Sequence, residues 1–125
     1  MPTAPTGLQV VSVMVGSVEL SFTGSADADH YDVYRSMDGL SFGAKVNASP
    51  IPATADPFSV SFTDGAGSSI DPPVQNGNYY YKAVSVDSSG NVSLPSNTAM
   101  SVVGFSVEVT PLQATLIALE QRGNP

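Results

Sequence analysis

Apolar and polar residues alternate along most of the chain, with the period of two that belongs to a strand holding one face in a core. Val18, Leu20 and Phe22 alternate with Glu19, Ser21 and Thr23. Tyr31 and Val33 alternate with His30 and Asp32, and Tyr34 follows. Tyr79, Tyr81 and Ala83 alternate with Tyr80, Lys82 and Val84. Leu8, Val10 and Val13 predict a first strand with a slip near Val11. Phe58, Val60 and Phe62 predict another, and Met100, Val102 and Val103 a last one. The runs are rich in β-branched and aromatic residues, which favour strands over buried helices. Phe22, Tyr31, Val33, Phe62, Tyr79 and Tyr81 are the expected core.

Turn residues separate the runs. Gly16-Ser17 divides the first two, and Ser25 to Asp29 is polar. Asp38-Gly39 reads as a hairpin turn, because glycine accepts a positive φ. Pro50, Pro52 and Pro57 mark a segment that cannot be a central strand. Asp64 to Gly77 reads as a long surface connection, and Ser88-Ser89-Gly90-Asn91 as a turn. Short strands at this spacing predict an antiparallel sandwich or barrel.

Three stretches carry a family resemblance. They are Val18–Phe22 with Asp27–Ser36 (VELSF, DADHYDVYRS), Asp38–Phe42 with Phe62-Thr63-Asp64, and Gly77–Asn97 (GNYYYKAVSVDSSGNVSLPSN). In this order they resemble a fibronectin type III domain of the bacterial or phage kind, over residues 4–103. The resemblance implies an all-β, seven-stranded antiparallel Ig-like sandwich. It also implies that Tyr79 is the buried corner tyrosine, its hydroxyl bonded to upstream backbone. The chain departs from the family at Phe22, where the second strand usually carries a core Trp.

Residues 104–125 lie outside that family. Phe105, Val107 and Val109 alternate with Ser106, Glu108 and Thr110, which predicts an extra strand segment. Thr110-Pro111 with Gln113 resembles a helix start, and Gly123 is placed to end the helix. Leu112, Leu116 and Leu119 fall on one stripe of that short helix. About a dozen residues make a helix too short to persist alone in water, so a docking role is expected for this extension.

Composition narrows the function. With 125 residues, the chain has the length of one domain. Lys and Arg number 4 against 11 Asp and Glu, for a net charge of −7. Nucleic-acid binding is disfavoured, since phosphate contacts need clustered cations. No polybasic patch or apolar run suits a membrane. The absence of cysteine removes thiol catalysis, disulfides and thiolate metal sites. Met1 to Gly7 lacks the pattern of a signal peptide, so a stand-alone protein made in a cytoplasm is expected.

No catalytic set emerges. His30 is the single histidine, and no Gly-x-Ser-x-Gly elbow accompanies it. Asp27, Asp29 and Asp32 surround it, but their spacing fits no EF-hand loop. Six Asp residues (27, 29, 32, 38, 64 and 87) sit in or beside predicted turns, where Asp serves solubility and turn chemistry. Asn47-Ala48-Ser49 and Asn91-Val92-Ser93 fit the glycosylation sequon as chance matches. Tyr34 and Tyr80 point away from the core, and read either as a small binding patch or as ordinary surface.

The resulting expectation is a non-enzymatic structural protein of a virion, a bacteriophage capsid decoration or tail-associated protein. Its extension would dock on capsid or tail proteins, or on another copy, through Phe105, Val107, Val109, Leu112, Leu116 and Leu119. The alternative is a spacer or weak glycan-binding module of a bacterial extracellular or cell-surface protein. No cofactor or metal is expected in either case.

Overall fold

The computed structural model describes residues 1–53, 59–70 and 72–103. Seven strands form: β1 (Thr6–Met14), β2 (Ser17–Thr23), β3 (His30–Ser36), β4 (Ile51–Pro52), β5 (Val60–Asp64), β6 (Gly77–Val86) and β7 (Ala99–Val103). They make two antiparallel sheets, β1-β2-β5 and β4-β3-β6-β7. The expected sandwich is therefore what forms.

The alternation explains the layers. Val18, Leu20 and Phe22 are buried while their neighbours on β2 are partly exposed. From the facing sheet, Tyr31, Val33, Tyr81 and Ala83 are fully buried. The Phe22 ring meets Tyr31 edge-on, with centroids 5.2 Å apart and planes at 77°, a favourable aromatic geometry. Phe22 thus fills its core position together with a neighbouring ring. The Tyr31 hydroxyl donates to the Ser25 carbonyl and accepts from the Ser25 N–H (3.2 and 2.9 Å), fixing the polar turn. The Tyr79 hydroxyl donates to the Gln75 carbonyl at 2.9 Å, the bond expected of a corner tyrosine. The slip near Val11 is real: the β1–β2 register shifts between Val10 and Ser12, which leaves Val11 as the extra residue of a bulge. Pro52 lies on edge strand β4, where a missing N–H is tolerated.

Three expectations need correction. The Asp38-Gly39 turn forms, but it does not close a tight hairpin. The Ser36 hydroxyl takes the N–H groups of Asp38 and Gly39, and the Asp38 carboxylate takes those of Leu40 and Ser41. The chain rejoins β3 only at Lys45, opposite Tyr34. Of the apolar residues expected in the last strand, only Val103 faces inward, together with Ala99 and Ser101, while Met100 and Val102 are exposed. Residues 64–77 are not purely a surface connection. Asp64 ends β5 fully buried, Ser69 bridges to Asn47, and Val74 joins the core. Phe58 and the predicted strand and helix of residues 104–125 lie outside the described residues.

Candidate functional site

The outer face of the four-stranded sheet carries a cleft. On β3 and β6 the residues opposite to the core phase point outward, and the register pairs Tyr34 with Lys82. On its other side Tyr34 is bridged to Lys45. Phe42, on the wide connection after β3, folds back so that the Lys82 Nζ lies 4.3 Å from its ring centroid. This is a cation–π contact. Gly43, Val84 and Pro95 complete the lining of a cleft of about 230 Å³.

Local sequence chemistry positions that wall. The Asp87 carboxylate gathers the Ser89 and Asn91 N–H groups (3.0 and 2.9 Å) and turns the chain back along β6. Ser93 and Ser96 then act as ladder partners. Their N–H groups donate to the Ser85 and Ala83 carbonyls. Their hydroxyls accept from the Ser85 and Ala83 N–H groups at 2.9 and 3.0 Å. Pro95, which has no N–H to give, sits between these serines and is left to line the cleft.

Tyr34 and Tyr80 are the two tyrosines expected to face outward. The structure places both on this outer face, two residues apart in register, but only Tyr34 lines the cleft. Tyr80 pairs with Met100 and covers Gly39. Phe42 and Lys82 are additions to that expected pair. Lys82 shares the outward phase of Tyr80, a signal present in the sequence; Phe42 arrives through a long connection, which no periodicity reveals.

A second surface lies at one end of the sandwich. The Val74 N–H donates to the Gly16 carbonyl at 2.8 Å, and Gly77 pairs with Val103. The β1–β2 turn, the loop after β5 and the end of β7 therefore share this end. Met14 and Val15 in the β1–β2 turn, and Met37 just after β3, are exposed there, Val15 fully. The predicted docking residues Phe105, Val107, Val109, Leu112, Leu116 and Leu119 lie outside the described residues.

The aspartates around His30 do not converge. Asp27 accepts from Thr3, Asp29 pairs with His30 at 2.9 Å, and Asp32 faces Asn47 and Lys45. Among the described residues, no group of three His, Cys, Asp or Glu could hold a metal ion. A cluster of ionisable groups gathers instead on the buried carboxylate of Asp64. Asp64 accepts from Arg35 at 2.8 Å and from the Tyr81 and Ser69 hydroxyls at 2.9 and 2.7 Å. Burial, and then the Asp64 charge, push the Tyr81 hydroxyl far above its ordinary range. Turn chemistry was the wrong role for Asp64.

No family model matches the sequence, and neither does any curated protein. Solved structures do resemble the fold. An Fn3-like protein from Clostridium thermocellum aligns at 22% identity with a TM-score of 0.56, over 86% of this chain and 98% of that one. The chicken CNTN1 FN1–FN3 domains align at 14% identity with a TM-score of 0.60, over 82% of this chain and 33% of that one. The sandwich is fibronectin type III-like. A β-1,2-glucanase from Parabacteroides distasonis also aligns, at 25% identity and a TM-score of 0.56, over 82% of this chain. The fibronectin type III-like chain spans only 13% of that enzyme's length. A fold of this kind carries many functions, so function rests on the surfaces.

Proposed function

We propose that this chain is a non-catalytic fibronectin type III-like module, held in a larger assembly by the end at which β7 hands the chain to residue 104. The observation that carries this reading is the set of exposed apolar side chains at that end, Met14, Val15 and Met37. Water-exposed apolar groups gathered at one end favour a partner surface. The sequence that follows spaces Leu112, Leu116 and Leu119 for a helix-in-groove contact. In its most specific form the assembly is a bacteriophage virion, with the sandwich displayed on a capsid or tail.

The second reading is an accessory module of a bacterial extracellular protein. The likeness to one segment of a bacterial glucanase favours it.

The test is co-sedimentation from producing cells. The wild-type chain is expected in the particle fraction. The triple variant Leu112→Ser, Leu116→Ser, Leu119→Ser is expected in the soluble fraction with its melting temperature unchanged. Equal sedimentation of the two would refute anchoring through this segment. Recovery of the chain within a longer secreted polypeptide would decide for the accessory module.

A further inference from the structure

The chain has two lysines, and both are cross-strand partners of Tyr34. In a protein of net charge −7 this concentrates scarce positive charge around one aromatic residue. The adjoining cleft is otherwise apolar in its side chains: Tyr34, Phe42, Val84 and Pro95. Lys45 is shared with Asp32, its Nζ 3.7 Å from Oδ1. Lys82 stands over the Phe42 ring, and among the described residues no carboxylate lies within ion-pairing distance of it.

We propose that this cleft binds an acidic sugar, a single uronate residue within a glycan chain. The C–H face of a pyranose suits aromatic and proline surfaces. Its carboxylate suits an ammonium already positioned at the rim, with a charge-assisted hydrogen bond as the contact. A cleft of about 230 Å³ lies below the usual range of roughly 300–1,000 Å³ for drug-sized ligands, which fits one ring and not an enclosed oligosaccharide. A neutral sugar would cover the Lys82 ammonium without replacing its water, which is unfavourable. An acidic peptide would satisfy the charge, but it makes less use of the aromatic lining. The cleft lies on the sheet face, so it can work in either setting proposed above.

Affinity electrophoresis of the full chain tests this, with polygalacturonate, its fully methyl-esterified form or polyglutamate cast in the gel. Polygalacturonate is expected to retard the protein, and the ester and polyglutamate are not. Lys82→Gln is expected to weaken retardation at least tenfold with an unchanged melting temperature. Phe42→Ala tests the apolar lining separately and is expected to weaken it as well. No retardation by polygalacturonate, equal retardation by the ester or by polyglutamate, or full retardation of Lys82→Gln would each overturn the proposal.

Discussion

Arg35 and Asp64 meet at 2.8 Å across the sandwich, a guanidinium from β3 against a fully buried carboxylate from β5. They join the two sheets through a polar contact whose carboxylate is buried and whose guanidinium reaches the edge of the core. The contact is well satisfied. Tyr81 and Ser69 hydroxyls complete the carboxylate, and Arg35 also stacks over the Tyr79 ring at 5.2 Å. A buried pair of this kind is costly to break, because the surviving partner keeps its desolvation penalty. Asp64→Asn is expected to destabilise the protein by about 3–5 kcal/mol. That corresponds to a fall in Tm on the order of 15 °C, read by thermal melting in circular dichroism. A loss of only a degree or two would show that the pair contributes little.

Tyr81 gives the same network an alkaline signature. Its hydroxyl is raised above the ordinary value of 10.0 by burial and by the adjacent Asp64. The unfolded chain therefore loses this proton near pH 10, while the folded chain keeps it. The stability it contributes is present below pH 10 and declines as the pH rises beyond it. Ultraviolet titration of the folded protein is expected to leave Tyr81 un-ionised until the chain unfolds. In Asp64→Asn, it should ionise at lower pH.

At the acid end the turn carboxylates decide. The Ser41 and Leu40 N–H groups and the Ser36 hydroxyl hold the Asp38 carboxyl at about 2, from an ordinary 3.8. Asp27 and Asp87 are lowered as well, by side-chain hydrogen bonds from Ser25 and Asn91 foremost. The folded state thus binds these protons less readily than the unfolded chain. Their contribution is present above about pH 4, and is lost as the pH falls toward 2. Tm measured between pH 5 and 2 should fall over that window, and Asp38→Asn should flatten the decline.

What the sequence made legible follows from range. Alternation of period two placed Phe22, Tyr31, Val33, Phe62, Tyr79 and Tyr81 in the core, since it depends only on neighbours. It failed for β7, where Met100 and Val102 are the exposed phase of an edge strand and small residues face inward. It could not show that Asp64 is buried, because its partners Arg35 and Tyr81 come from other strands. The cleft was half visible. Tyr34 is marked by phase, whereas Phe42 depends on a loop that returns over Lys82.

Asn47 shows how a surface motif can be a core residue. It opens an Asn-Ala-Ser sequon, yet it is fully buried. Its Oδ1 accepts from the Val33 N–H at 2.9 Å, and its Nδ2 donates to Asp32 and the Ser49 carbonyl at 3.0 and 2.9 Å. The side chain thus stands in for backbone where the returning chain meets β3. Asn47→Ala leaves a buried N–H unpaired and is expected to cost about 2 kcal/mol. Expression in a glycosylating host should leave Asn47 unmodified in the folded protein. A glycan there would contradict the packing.

Gly65 governs the apolar end of the sandwich. It has a φ of +89°, and a Cβ there would collide with the Gly16 carbonyl oxygen and crowd Val74. That oxygen already accepts from the Val74 N–H at 2.8 Å. The glycine therefore lets the β1–β2 turn close against the loop that leads into β6. Gly65→Ala meets both the strained backbone and the obstructing carbonyl, and is expected to destabilise by about 2 kcal/mol or more. Gly67, also at positive φ (+83°), has nothing within 4 Å of its Cβ position. Gly67→Ala should therefore cost only the backbone strain, about 1 kcal/mol. Chemical denaturation of the two variants side by side separates contact from conformation. Equal losses would show that the close approach of the two loops contributes nothing.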